Sequence, residues 1–133
     1  MMDAAELILR EGHLRNERLL IAGGGSGVGF GKAQALAPLG AGGVICGRRL
    51  DVLEAAASEI RDQGGRASAH SCDIRNAETI EAMLDAIWKD APLTGLVNNA
   101  AGNFISRTET LSTRGIGAIA DIVVNGTIYA AHA

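Results

Sequence analysis

The apolar positions of this chain change period repeatedly, from unbroken runs of strand length to helical spacing and back. Leu19-Leu20-Ile21-Ala22 is a continuous apolar run, and Arg18–Ala22 is predicted as a buried strand. From Gly27 to Leu39 the residues Phe30, Ala33 and Ala37 recur at helical spacing, with Gly40 as the stop. Pro38 sits in the last turn, where its ring opposes the carbonyl of Gln34, so this helix should end early or bend. Val44-Ile45-Cys46 reads as a second short strand closed by Gly47. Leu50, Leu53, Ala57 and Ile60 mark a second amphipathic helix, stopped at Gly64-Gly65, and Ala67–Cys72 reads as a third strand. Ile80, Met83, Leu84 and Ile87 follow the i, i+3, i+4, i+7 spacing of a third helix, with Pro92 beyond its end. Leu93–Val97 is a fourth strand. Ser112 is a suitable N-cap for a last helix that carries Ile116, Ile119, Ala120, Val123 and Val124 on one face. Gly115 and Gly117 weaken its first turns by about 1 kcal/mol each relative to alanine. Residues 3–16, of mixed charge around Leu7, Ile8 and Leu14, read as a short helix or arm leading in.

Strands and helices thus alternate four times. That alternation predicts βαβ units with right-handed crossovers, hence an α/β domain whose parallel sheet is covered on both faces. At 133 residues the chain is one domain.

Composition narrows the function. A 47% hydrophobic and 20% charged chain is globular rather than disordered. The formal charge of −3 lacks the basic footprint of a nucleic-acid binder. Ser26, Lys32 and Gln34 interrupt the most apolar region, so no membrane span is expected. Met1-Met2-Asp3-Ala4-Ala5-Glu6 has no basic leader, and a cytoplasmic protein is the expectation. Cys46 and Cys72 are too few and too isolated for a disulfide framework or a zinc site, and His13, His70 and His132 fall in no ligand spacing, so no metal is expected.

The candidate chemistry lies where the first strand meets Gly23-Gly24-Gly25-Ser26-Gly27-Val28-Gly29 and the first helix. Glycines let the backbone turn tightly and approach a ligand, while free amides at a helix start attract a pyrophosphate. A phosphate loop of the Gly-x-x-x-x-Gly-Lys-Ser/Thr type fails at both ends. Ser26 stands where its first glycine belongs, and Lys32 is followed by Ala33 rather than a hydroxyl residue. Arg48 and Arg49 follow the second strand, where an acidic residue would bond a ribose 2′-hydroxyl and an arginine accommodates a 2′-phosphate. Guanidinium is planar and permanently charged, which suits phosphate. NADP is therefore expected in preference to NAD.

Four motifs in order, Ala22-Gly23-x-x-x-Gly27-x-Gly29, Cys46-Gly47-Arg48-Arg49, Asp73-Ile74 and Asn98-Asn99-Ala100-Ala101-Gly102, resemble the N-terminal half of a short-chain dehydrogenase/reductase. The string Asn98–Phe104, with Asn125-Gly126-Thr127, is most similar to the 2,4-dienoyl-CoA reductase branch. The resemblance implies a Rossmann-type doubly wound parallel sheet, truncated after about four strands. It implies that Gly23, Gly25, Ser26, Gly27, Val28 and Gly29 lie beneath the cofactor pyrophosphate and that Arg48, helped by Arg49, holds the 2′-phosphate. Asp73 would accept from the adenine amine, with Ile74 packing beside it, although a carboxylate there could also cap the next helix, a task for which Asn76 is better placed. Asn98 would tie neighbouring strands, and Asn99, Ala100, Ala101 and Gly102 would line the cofactor ribose. Asn125 matches the helix asparagine that helps organise the family's proton relay.

The departures from the family pattern matter as much. Its catalytic serine and Tyr-x-x-x-Lys lie beyond the stretch matched here. Tyr129 is followed four residues on by Ala133, not lysine, and reads as a packing residue. Ala22 replaces the usual threonine. The expected function is the NADP-binding portion of a short-chain oxidoreductase, whose family transfers hydride to a carbonyl or an unsaturated acyl-CoA. Alone, the chain should bind cofactor better than it turns over a small-molecule substrate. The alternative is a non-catalytic dinucleotide-binding or interaction module. An apolar fourth strand without a further neighbour is a pairing hazard, so association with itself or a partner chain is expected.

Overall fold

A computed structural model describes residues 9–102 and 105–133, so the lead-in over residues 3–8 and the pair Asn103-Phe104 lie outside the described residues. Four parallel strands, β1 (Arg18–Ala22), β2 (Gly42–Gly47), β3 (Arg66–Ser71) and β4 (Gly95–Val97), form one sheet in the order β3-β2-β1-β4. Side chains of a strand alternate between faces, and this alternation sorts the core into two layers. Leu20 and Ala22 of β1, with Val44 and Cys46 of β2, pack against Ile80, Met83, Leu84 and Ile87 of α3 (Ala77–Asp90). Ile21 and Ile45 point the other way, against Ala33 of α1 (Gly27–Leu36) and Leu53, Ala56, Ala57 and Ile60 of α2 (Leu50–Asp62). The sheet is therefore covered on both faces, as the alternating sequence requires. No helix among the described residues is long and apolar enough to cross a membrane.

The boundaries follow local chemistry. Helix α1 stops at Leu36, short of the expected Leu39, because Pro38 has no amide to continue the ladder. Asn76 caps α3, accepting from the Glu78 and Thr79 amides at 2.9 and 3.3 Å, so Asp73 is free of that task. At the other end of α3 the Arg18 guanidinium donates to the Ile87 carbonyl at 3.1 Å and to the Ala91 carbonyl, and pairs with Asp90 at 2.6 Å. One side chain from β1 thus adds a second donor to the Ile87 carbonyl, which also accepts from the Ala91 amide, and satisfies the carbonyl of the C-cap Ala91.

Several expectations need correction. Strand β2 begins at Gly42 rather than Val44, because Gly42 and Gly43 still pair with Arg66 and Ala67 on one side and Arg18 and Leu19 on the other. Strand β4 begins at Gly95 rather than Leu93; at Thr94 the amide still donates to the Arg18 carbonyl at 2.9 Å, but the Arg18 amide donates to the Thr94 hydroxyl at 2.8 Å instead of to a main-chain carbonyl. Leu50 opens α2 but is 47% exposed, so the buried face starts at Leu53. Residues 9–16 form turns rather than a helix.

The last helix departs most. It is not continuous: α4 (Thr113–Ala120), with Ser112 accepting from the Gly115 amide as expected, leads into a π-helical turn over Asp121–Asn125 and then α5 (Gly126–His132). Ile116, Val123 and Val124 are exposed, whereas Ile122 and Tyr129 pack against the α3 layer. Gly126 is buried beside Ile74. The inward stripe is thus built around a glycine, while Ile116, Val123 and Val124, which periodicity places inside, face out and Ile119 is half-buried.

Ile45 is fully buried and also touches the glycine loop, so truncating it opens a cavity shared by core and loop. Ile45→Ala should lower unfolding free energy by about 3 kcal/mol, read as a shifted urea midpoint with unchanged slope.

Candidate nucleotide-binding site

The loop after β1 is held by an unusually close backbone approach. A Cβ on Gly29 would lie 2.1 Å from the Gly23 carbonyl oxygen and 2.6 Å from Asn99 Nδ2. Only glycine lets the first turn of α1 settle there. Gly23 itself adopts φ +71°, and its amide donates to the Cys46 carbonyl at 2.8 Å, which folds the loop back over β2. Asn99 closes the arrangement by donating to the Ala22 carbonyl at 3.2 Å and accepting from Lys32 Nζ at 2.9 Å. The cross-strand tie is therefore Asn99, not Asn98, whose amide donates instead to Thr127 at 3.4 Å. The side chain on the sheet side of β4's end does the bonding, and consecutive asparagines point opposite ways. Ala22 contributes its carbonyl to this network, so the turn is ordered without the threonine hydroxyl.

Above the loop, at the carboxyl ends of the strands, lies a cleft of about 870 Å³. This is where the strand order reverses, between β1 and β4, and where open parallel sheets take ligands. Gly23, Gly25, Ser26, Val28 and Gly29 line one side of it, Arg48 and Arg49 a second, and Asp73, Ile74, Asn99, Ala100 and Ala101 the rest. Gly27 and Gly102 do not line it. Gly27 serves the turn, and Gly102 packs against Ile122, whose Cδ1 would be 2.5 Å from a Cβ there.

The charges of the cleft suit an anionic ligand. The Ser26 side chain makes no capping bond, so the first amides of α1 keep their donors for something else. Val28 is 72% exposed at the same edge. Asp73 is the one carboxylate lining the cleft among the described residues, and hydrogen bonds from Arg75 hold its carboxyl below the usual range. The cradle that a Cβ would fill, the free amides and the arginines together fit a dinucleotide diphosphate.

Asn125 lies outside the cleft lining, in the π-helical turn, where its Nδ2 donates to Asp121 Oδ1 at 2.9 Å. There the Gly126 amide donates to Asp121, five residues back, a widening of the kind often found at functional positions. Tyr129 packs against the core, as its sequence context indicates.

Cys46, Val52, Leu53, Cys72, Arg75 and Ile122 also line the cleft, and sequence reasoning gave them no role there. Val52 and Leu53 could have been found from the helical period of α2 just past Arg49. Nothing local marks Ile122. Burial pushes the Cys46 thiol up to about 12, and it raises that of Cys72 too. With the folded value above the unfolded one, the buried Cys46 thiol contributes stability in full below pH 9.0, and that contribution falls away as pH rises toward about 12. Both thiols should resist alkylation at pH 8 in the folded chain and react once denaturant is added, as counted by mass spectrometry.

The fold is shared with known proteins. A probable 2,4-dienoyl-CoA reductase of Caenorhabditis elegans is 42% identical over 124 residues, covering 91% of this chain and 40% of that protein. The chain thus spans about 40% of the length of the curated relatives it matches. Among solved structures, a citronellol catabolism dehydrogenase of Pseudomonas aeruginosa superposes with a TM-score of 0.89 at 34% identity, over 94% of this chain and 52% of that one. An alcohol dehydrogenase of the archaeon Thermococcus sibiricus, complexed with 5-hydroxy-NADP, gives 0.82 at 25% identity, over 87% and 50%. The short chain dehydrogenase family model matches residues 17–133, and the chain belongs to that family of nicotinamide-dinucleotide oxidoreductases.

Proposed function

We propose that this chain is the NADP-binding part of a short-chain oxidoreductase acting on a carbonyl or an unsaturated acyl thioester. The observation that carries the reading is the pair Arg48 and Arg49 just after β2, on the cleft that the glycine loop also lines. Neither guanidinium bonds a carboxylate or a carbonyl among the described residues, unlike Arg18, Arg66 and Arg75. An arginine left without an internal partner beside a phosphate-sized cradle is suited to a 2′-phosphate. The 5-hydroxy-NADP complex of a structural neighbour and the dienoyl-CoA reductase names among the relatives support the same direction.

The loop amides bind the pyrophosphate, Arg48 and Arg49 bond the 2′-phosphate, and Asp73 accepts from the adenine amine while Ile74 packs beside the ring. Asn99, Ala100 and Ala101 set the surface against which the ribose lies. When bound, NADPH supplies the hydride. Asn125 positions the proton relay, whose serine, tyrosine and lysine the family carries beyond the matched stretch.

We also propose that it associates through β4 and the last helices, with itself or with a partner chain. Strand β4 pairs only with β1 among the described strands, and Ile116, Val123, Val124 and Ile128 of the last helical segments are exposed. Light scattering after size exclusion should give a mass above that of the monomer, and a clean monomer at micromolar concentration rejects the association.

Titration with NADPH and NADH, followed by nicotinamide fluorescence, tests the main reading. NADPH should bind more tightly, and Arg48→Ala should weaken NADPH by about tenfold while barely affecting NADH. Gly29→Ala should remove binding of both. Equal affinity for the two cofactors, or an unchanged Arg48→Ala, rejects the NADP assignment.

A further inference from the structure

Asp73 follows β3 and presents its carboxylate at the cleft, where Arg75 grips it from two residues away. Arg75 Nε lies 2.9 Å from Oδ1 and 3.1 Å from Oδ2, Nη2 lies 2.5 Å from Oδ2, and the Arg75 amide donates to Oδ1 at 3.1 Å. Exposed ion pairs ordinarily add little stability, and this one is about a third exposed on each side, so stability does not explain it. Its geometry does something else. An ionised carboxylate offers about four lone-pair sites, and three N–H donors from one residue occupy most of them. What remains is a single acceptor direction on a fixed carboxylate.

We propose that Arg75 is a positioning residue for the nucleotide: it locks Asp73 in one orientation as an acceptor, so that the cleft selects a ring edge bearing an exocyclic amine. This inference rests on the nucleotide reading above and adds to it a residue and a reason for base selectivity. Other groups act on the pair. Arg48, from the end of β2, also favours ionised Asp73, Asp121 of the π-helical turn favours charged Arg75, and Cys72 is the adjoining thiol. The Arg75 side-chain hydrogen bonds are the largest of the influences on Asp73 and outweigh the opposing effect of burial, so they favour its ionised, accepting form.

The test is a double-mutant cycle on the whole chain, with NADPH as the probe. Arg75→Met and Asp73→Asn should each weaken binding by about tenfold. The double variant should bind no worse than Asp73→Asn alone, because Arg75 acts through Asp73. Arg75→Lys keeps the charge without the fork and should recover only part of the affinity. In parallel, carbon NMR of the Asp73 carboxyl should show its titration midpoint rising in Arg75→Met, a readout that needs no ligand. Additive losses in the cycle overturn the inference and place Arg75 directly on the nucleotide. Wild-type affinity in Arg75→Met, or an unmoved carboxyl midpoint, overturns it as well. Failure of the unmodified chain to bind NADPH overturns the nucleotide reading itself, and with it this extension.

Discussion

The contact on which the site depends is the meeting of Gly29 with the Gly23 carbonyl under the side chain of Asn99. It brings the end of β1, the start of α1 and the end of β4 within hydrogen-bond distance of one another. Without that closeness the loop could not turn back over β2, and the first amides of α1 would not face the mouth of the sheet. The constraint is steric before it is electrostatic. No side chain fits between Gly29 and Gly23, and Asn99 fills the remaining space with an amide that bonds Ala22 and takes a bond from Lys32. Ile45 supports the same loop from below, since it lies against Gly24, so the core and the binding loop share one surface. Core packing and loop geometry are coupled here through direct contact.

Much of this was legible in the sequence, for identifiable reasons. The strands and the first three helices carry short, strong periodic signals whose ends are set by proline, glycine and asparagine. Pro38 and Asn76 each acted through local backbone chemistry that needs no tertiary knowledge. The cleft residues were legible because the chain crosses the mouth of a parallel sheet at the end of every strand, and the motifs fall at those crossings. The last helix was misread because tertiary packing there runs against residue size. Gly126 allows a close approach to Ile74, which turns Ile122 and Tyr129 inward and leaves Ile116, Val123 and Val124 outside. The Asn98–Asn99 pair was misread for a related reason. Neighbouring residues of an extended segment face opposite ways, and sequence alone does not say which of two identical side chains faces the sheet.

The arginines show how structure separates roles that composition cannot. Arg18 satisfies the end of α3, and Arg66 donates to the Arg15 and Gly40 carbonyls at 2.9 and 2.8 Å, so both are fixed by backbone acceptors at the amino ends of the strands. Arg75 is fixed by a carboxylate at the opposite end. Arg48 and Arg49 lie on the cleft that the glycine loop also lines, and neither bonds a carboxylate or carbonyl among the described residues. Arg49 even precedes α2, where a cation opposes the helix dipole and where a capping side chain would have been favourable. Local stability therefore gives no reason for two arginines at this position. The proposed 2′-phosphate supplies one, since two guanidinium groups at an otherwise unfavourable helix start would meet its charge.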